Sequence, residues 1–327
     1  MAQYSFADYE LSNKKTTRRS DFLNRMDKIV PWNKIIDLIK PFYYNNKTGR
    51  KATELETILR MYFLQNWFSL SDGAIEDEIY DSLAMKDFMK ISASNYNVPD
   101  ETVLCNFRHL LEENNIGKDI EKLINSLLEE NGLIMHGGTI VDATIISAPK
   151  STRNKDNSRD KEMHSTKKAG NYYFGAKLHI GVDSGTGYIH SHTTTSANKH
   201  DITEVHNLIR KDDRVVKGDS GYIGIEKRDE IKNDNYLSQI EYRTVRRPSS
   251  YRHNKSVVAN RIHKFVEKNL ISARQKVEYP FHIIKNIFKF RKLQYKGLAK
   301  NDNKISVLVA LTNLYMVSSA NRSFSTC

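Results

Sequence analysis

Cysteine is nearly absent from this 327-residue chain, with Cys105 and Cys327 the only two. One pair can build neither the disulfide framework of a small secreted domain nor a cysteine-rich zinc site. No apolar run approaches the roughly 20 residues that span a bilayer, and the polar start Met1-Ala2-Gln3-Tyr4 is not expected to act as a signal peptide. Acidic side chains are in deficit: 39 Asp and Glu stand against 51 Lys and Arg, a formal net charge of +12. The length allows two domains, or one large domain with an appended module, and the apolar fraction of 39% is adequate for a buried core. Together these features predict a soluble protein of a reducing cytoplasm. The charge calls for a polyanionic partner, of which nucleic acid is the commonest; a merely basic soluble protein is the alternative.

The positive residues are grouped. Lys14, Lys15, Arg18, Arg19 and Arg25 precede the first recognisable helices. A second group fills the polar stretch from Lys150 to Lys168, including Arg153. A third comprises Arg243, Arg246, Arg247, Arg252, Lys255, Arg261 and Lys264.

The hydrophobic period changes once along the chain. Up to about residue 132 it is helical. Thr53 and Glu56 have the spacing of a capping box, followed by Leu55, Ile58, Leu59, Tyr62 and Phe63. After a break at residues 69–73, Ile75, Ile79, Tyr80 and Leu83 form a second face. A helix starting at Pro99-Asp100 and another ending near Gly132 follow. Two helices around a short glycine-containing turn fit a DNA-reading helix-turn-helix, and equally an ordinary bundle. From residue 133 the pattern predicts strands over 139–146, 172–182, 188–195 and 214–217, with a loop at 147–170. It also predicts helices opening at Asp201 and near Ile225, a strand near 237–242, and a buried helix over 305–317. The expected fold class is α/β, preceded by an all-helical segment.

Three carboxylates stand out by position. Asp142 is mid-strand, where Asp is disfavoured unless it is paired or binds a cation. Asp219 follows a strand and opens a turn, and Glu278 lies in a helical stretch. Such oxygen ligands suit hard divalent cations; two Mg²⁺ ions can clamp both oxygens of an in-line phosphoryl displacement. Each acid also has an ordinary reading: Asp219 as a turn residue, Glu278 as a solvated helix residue, Asp142 as the partner of a lysine.

The segments from Thr139 to Pro149 (TIVDATIISAP), Tyr173 to Asp183 (YFGAKLHIGVD) and Gly218 to Tyr222 (GDSGY) resemble the catalytic domain of bacterial insertion-sequence DDE transposases, in particular the insertion sequence five group. The stretches Leu59 to Asp72 and Pro99 to Leu111 resemble the same group. The family's third motif reads Y-x2-R-x3-E-x6-K; Arg274, Glu278 and Lys285 fit it in register, while Ile271 replaces the tyrosine. The resemblance implies an all-helical, DNA-end-binding domain over 1–132 and a ribonuclease H-like catalytic domain over 133–327. It further implies a catalytic, metal-binding triad of Asp142, Asp219 and Glu278 holding two Mg²⁺ ions, with Mn²⁺ as a substitute. The implied substrates are double-stranded terminal repeats and target DNA, engaged by a homodimer in a cut-and-join reaction. DNA contacts are expected from Arg274, Lys285, Tyr222, Arg246, Arg247, Arg252, Lys150 and Arg153. Lys285 is also compatible with an exposed helix lysine, Tyr222 with a core tyrosine, and Pro280 is expected to kink the helix or begin a new one.

Two other functions fit the sequence: a DNA-binding protein derived from a transposase but no longer catalytic, and a processing nuclease on the same fold. A further rival is a metal phosphohydrolase using His179, His200, Asp201 and Asp219. Strands around His179 and a capping role for Asp201 speak against it.

Overall fold

The computed structural model describes residues 16–43, 52–91, 98–153, 155, 157–168, 170–245, 275–320 and 324. Seven helices come first: α1 (Arg18–Ile29), α2 (Trp32–Ile39), α3 (Leu55–Phe68), α4 (Asp72–Asp81), α5 (Leu83–Phe88), α6 (Glu101–Glu113) and α7 (Ile116–Glu130). The first two, and α5, carry no strong sequence signal. Arg18, Arg19 and Arg25 therefore lie within a helix, where Arg19 pairs with Glu78 at 2.9 Å.

Several local expectations need correction. The capping box at Thr53 does not form: Glu54 occupies the cap position, and Glu56 turns to Arg60 and Lys90, both at 2.8 Å. On α4 only Ile75 and Ile79 are buried, while Tyr80 and Leu83 are exposed. Gly73 lies inside α4 rather than in the turn. The helix-turn-helix reading of α3 and α4 also fails on charge. α3 is buried from Ile58 to Trp67, and α4 carries Asp72, Glu76, Asp77, Glu78 and Asp81 with no Lys or Arg. A helix of that charge is repelled by DNA phosphates, so this pair is part of a bundle.

The sheet contains β1 (Thr139–Ser147), β2 (His164–Lys168), β3 (Asn171–Asp183), β4 (Ile189–Ser196), β5 (Val215–Gly218) and β6 (Glu241–Thr244). β1 runs antiparallel to β3 and parallel to β5; β3 also pairs with β4, and β5 is parallel to β6. β-branched residues make β1 a strand, and Gly138 precedes it at φ 132° because a Cβ there would stand 2.4 Å from the Val215 carbonyl oxygen. The stretch 147–170 is not all loop, since β2 forms a hairpin with β3. The helix expected at Asp201 is a 3-10 helix, Asp201–Asn207, with His200 at the cap position and no side-chain cap, so Asp201 is its first residue and not its cap. The one expected near Ile225 is only a 3-10 turn and a four-residue helix, α8 (Asp229–Lys232). β6 lies slightly later than expected, after the 3-10 turn Leu237–Gln239. Residues 275–282 form helix α9, which passes into a π-helical turn, Ile283–Ile287; α10 (Leu298–Ser319) ends the described chain.

The sheet divides two apolar cores. Ile140, Ile146, Ala176, Leu178, Ile180 and Val182 join the core shared with the helices, of which α10 lies against β4. Val141 and Val216 face the other way, onto Val205, Leu208, Tyr222, Ile225, Ile231 and Ile240. The larger core runs unbroken from α1 to α10, across the change of hydrophobic period near residue 132. Buried amides lock α10 in place. Asn313 Oδ1 accepts from the Ile189 N–H at 3.0 Å, and its Nδ2 donates to the Ile189 carbonyl at 2.7 Å and to Asn125 Oδ1 at 3.0 Å. Such fully bonded groups fix one arrangement of helix on strand. No helix of the described residues is long and apolar enough to cross a membrane.

Candidate active site

Asp142 is in the middle of β1, and Asp219 follows the last residue of β5. The parallel pairing sets Thr139 opposite Val216 and Ile140 opposite Lys217. Carried on, that register brings Asp142 level with Asp219 on neighbouring strands, which run about 4.8 Å apart. Asp219 keeps extended backbone (φ −80°, ψ −175°), so the alternation of side chains continues to it. Ile140, Asp142, Lys217 and Asp219 therefore share one face, the face that packs on the helices.

Each carboxylate is oriented by nearby backbone. Asp142 Oδ1 accepts from the Ala143 N–H at 2.7 Å. Asp219 Oδ1 accepts from the Gly221 N–H at 2.7 Å and caps the 3-10 turn Ser220–Tyr222. A Cβ at Gly221 would stand 2.9 Å from Asp219 Oδ1, closer than real contacts allow. Gly221→Ala is therefore expected to push the carboxylate aside and lower DNA cleavage by about a hundredfold, the usual effect of misplacing a reacting group by about 1 Å. Thermal unfolding should change little. A variant cleaving at the normal rate would separate Asp219 from the chemistry.

α9 crosses the same face. Lys276 Nζ donates to the carbonyls of Ser184 (2.8 Å) and Gly185 (2.7 Å), just past the end of β3 that pairs with Thr139. Lys285 Nζ donates to Thr144 Oγ1 (2.6 Å) and to the Ile145 carbonyl (2.7 Å). The helix thus runs alongside β1 in the same direction. Between the two lysines it rises about 13 Å, against about 16 Å of strand from Thr139 to Thr144. Glu278 lies between the two lysines, and Asp142 lies between the two levels they mark. Glu278 is exposed while Val277 and Pro280 are buried. Pro280 does not end the helix: it sits within 275–282, unable to donate to the Lys276 carbonyl, and the backbone widens into the π turn three residues later.

The surroundings are positive. Burial, with help from Arg243 and Lys276, lowers the pKa of Lys217. Burial, then repulsion from Lys168 and Arg291, pulls Lys285 down to about 8. Lys285 is accordingly not the freely exposed helix lysine that the sequence also allowed.

Among the described residues, no three His, Cys, Asp or Glu side chains stand close enough to hold one ion together. The extended register sets the two aspartates level, and Glu278 comes from the helix that crosses the same face. Mg²⁺ commonly takes one or two carboxylates and completes its shell with water and substrate phosphate, so the aspartate pair suits it in kind.

Other sequence candidates fall elsewhere. Tyr222 is 1% exposed and packs with Val141 and Val216, so as folded its ring is out of reach of DNA. A Cβ at Gly218 would meet that ring at 3.0 Å, which ties the glycine to packing under the Asp219 turn. Lys150 and Arg153 are exposed on the loop after β1. That loop leaves β1 at Ser147, about 16 Å along the strand from Asp142, and is farther from the acids than its place in sequence suggests. Its far end is pinned where Asp160 Oδ2 accepts from the Gly297 N–H at 2.6 Å and Glu162 Oε2 from Leu298 N–H at 2.5 Å. Arg246, Arg247, Arg252, Ile271 and Arg274 lie outside the described residues.

The phosphohydrolase set is split by the sheet. His179 pairs with Ala143, on the face opposite to Asp142 and Asp219. It is fully buried, bonded to Thr195 Oγ1 at 2.8 Å, and burial pushes its pKa down to about 4. Asp201 pairs with Lys177 at 2.9 Å, and His200 is exposed. Sequence reasoning missed Lys276 and Lys217 as neighbours of the acids. Nothing in local spacing marks them, since their roles come from how α9 lies on the sheet.

A family model described as a transposase DDE domain matches residues 135–314, the region containing all three acids, and one described as a transposase domain matches residues 10–110. No solved structure matches the chain. With more than half of its length under the first model and most of its helical part under the second, the chain belongs to the insertion-sequence transposases that carry a DDE domain.

Proposed function

We propose that this transposase cuts and rejoins DNA at the ends of an insertion sequence, using Asp142, Asp219 and Glu278 on a ribonuclease H-like fold of the insertion sequence five group. The observation that carries the reading is the register of β1 and β5, which sets Asp142 level with Asp219 on the face crossed by the helix of Glu278. A first acid on the first strand, a second at the end of a parallel neighbour and a third on a later helix is the layout expected of that fold.

Asp142 and Asp219 would hold divalent ions, with Glu278 joining from α9 and DNA phosphate completing the shell. Bound there, two Mg²⁺ ions supply Lewis acidity for both the attacking and the departing oxygen of an in-line displacement. In the first reaction water attacks, one P–O bond forms and the bond to the departing 3′-oxygen breaks. In the second, that 3′-hydroxyl attacks a phosphodiester of target DNA, and the displaced oxygen leaves with a proton. The chain's own residues bind and orient. Lys285, two of whose three donors are held by Thr144 and Ile145, presents its charge toward phosphate beside Asp142. The helical part, residues 1–132, would recognise the terminal repeats, and two copies would hold two ends.

The test is a supercoiled plasmid carrying one element end, incubated with the chain and a second, labelled DNA. With Mg²⁺ or Mn²⁺ both nicking and joining are expected; in EDTA both should fall to background. Cleavage undiminished by chelator overturns the metal reading. Nicking without joining assigns a processing nuclease, and DNA binding without nicking assigns a protein that has lost catalysis.

A further inference from the structure

β3 continues past its pairing with β1, from Gly175 back to Asn171, and there pairs with β2. The hairpin so formed projects about 13 Å beyond the end of β1. Tyr172 near its tip is 69% exposed, more than any other large apolar side chain among the described residues. Lys167 lies directly across from it, with its ammonium 5.5 Å from the ring centroid. Lys168 follows, and its charge is felt at Lys285. Neither Lys167 nor Lys168 has an ion pair among the described residues. A lone exposed tyrosine needs no explanation. A tyrosine faced by one uncompensated lysine, with a second on the opposite face of the same hairpin tip, does.

We propose that the β2–β3 hairpin is a second DNA contact, in which Lys167 takes a backbone phosphate, the Tyr172 ring on the same face packs on the neighbouring nucleotide, and Lys168 takes a phosphate from the other side of the hairpin tip. This rests on the DNA reading above and extends it to a site away from the acids. Tyr172 lies eight residues along β3 from Ile180, the partner of Asp142. That is at most about 26 Å along the strand. Aromatic and cationic side chains combine in this way where a protein grips a strand without reading its sequence. A duplex of arbitrary sequence is therefore a sufficient probe.

The experiment is equilibrium binding of the full chain to a 40-base-pair duplex in EDTA, followed by fluorescence anisotropy across a range of salt. Lys167→Ala/Lys168→Ala should flatten the plot of log K against log salt by about two units, close to 0.9 per phosphate, and weaken binding about tenfold at physiological salt. Tyr172→Ala should weaken binding about tenfold with the slope unchanged, and Tyr172→Phe should restore it. Lys167→Arg/Lys168→Arg should keep the slope, and Lys211→Ala/Lys232→Ala, at exposed positions given no DNA contact, should behave as the unsubstituted chain. Unchanged affinity and slope in both the lysine pair and Tyr172→Ala overturn the proposal. Normal DNA binding by Tyr172→Ala with a shifted sedimentation mass overturns it in favour of contact with a second copy. If Tyr172→Ala fails to fold, the lysine pair decides alone. A chain that binds no duplex at all defeats the DNA reading itself, whereas hairpin variants that bind normally defeat only this contact.

Discussion

Asp142→Asn is expected to lower DNA cleavage and joining by about three orders of magnitude or more, while affinity for duplex DNA stays within about threefold of the unsubstituted chain. The same result is expected for Asp219→Asn. The split follows from the division of labour around the site. The aspartates act on the reacting phosphate, where losing an ion removes several kcal/mol of transition-state stabilisation. Grip on the rest of the duplex comes from lysines and arginines, each working through counterion release and indifferent to the identity of the acids. Removing one negative charge from this face should, if anything, strengthen DNA binding slightly. Stability should change little as well, because Asp142 and Asp219 are only partly buried, and Asn and Asp are nearly equal in size.

Glu278→Gln makes the sharper test. This side chain is exposed on α9 and joins no group of three potential ligands among the described residues. A merely solvated glutamate would tolerate glutamine without loss. A third catalytic acid, drawn in once DNA and metal are present, would show the same loss of about three orders of magnitude as the aspartates. Plasmid nicking with Mg²⁺, measured beside anisotropy on the same preparations, separates the outcomes. Near-normal nicking by any one variant removes that residue from the triad, and parallel loss of nicking and binding would mean the acids position DNA rather than act on it.

Why the three candidate acids can be picked out of the sequence while their setting cannot has a physical basis. Asp142 breaks a β-branched run, and Asp219 opens a Gly-Asp-Ser-Gly turn. Both are local departures from pattern, and local departures survive in a sequence. β1, β3, β4, β5 and the long helix α10 are also legible, because period-two alternation or an unbroken apolar stretch defines each of them. What locates Glu278 is different. Its helix is held by Lys276 on the carbonyls of Ser184 and Gly185, and by Lys285 on Thr144 and Ile145, contacts far apart in sequence. No spacing rule encodes them. The short elements were misjudged for the opposite reason. Thr53 and Glu56 have the form of a capping box, but Arg60 and Lys90 draw Glu56 away from the backbone, so a tertiary ion pair overrides a local motif. β2 was hidden because His164 to Lys168 is polar and its side chains are largely exposed; only its partner β3 makes it a strand. Tyr222 could not be separated from a surface tyrosine by sequence, since its burial comes from Val141 and Val216 on two other strands.

His192→Ala is expected to cost about 3–5 kcal/mol of folding stability, the usual consequence of removing one partner from a buried ionic group. His192 is on β4, opposite Ile180 and so on the sheet face that meets the helices. Its Nδ1 donates to Glu121 Oε1 of α7 at 2.8 Å, and its Nε2 lies 3.5 Å from Asp302 Oδ1 of α10. Lys118 reaches Asp302 from α7 at 2.8 Å, and Ser306 adds a hydroxyl 3.4 Å from Nε2. Burial disfavours the charged imidazolium, but the Glu121 and Asp302 carboxylates outweigh it and push His192 up to about 10. The Asp302 carboxyl, although burial opposes its charge, is held well below its ordinary range by His192 and Lys118. The sign follows from these directions. A histidine raised from 6.5 in the unfolded chain contributes its full stabilisation below pH 6.5 and loses it as pH rises through about 10. The Asp302 contribution is present above its ordinary value of 3.8 and fades as pH falls below it. The gap in stability between the unsubstituted chain and His192→Ala should therefore be widest between pH 4 and 6.5 and shrink steadily toward pH 10. Denaturant unfolding at pH 5.5, 7.5 and 9.5 measures it. A gap that stays constant, or widens with pH, would mean that His192 is neutral in the folded chain and that β4, α7 and α10 are held together by packing alone.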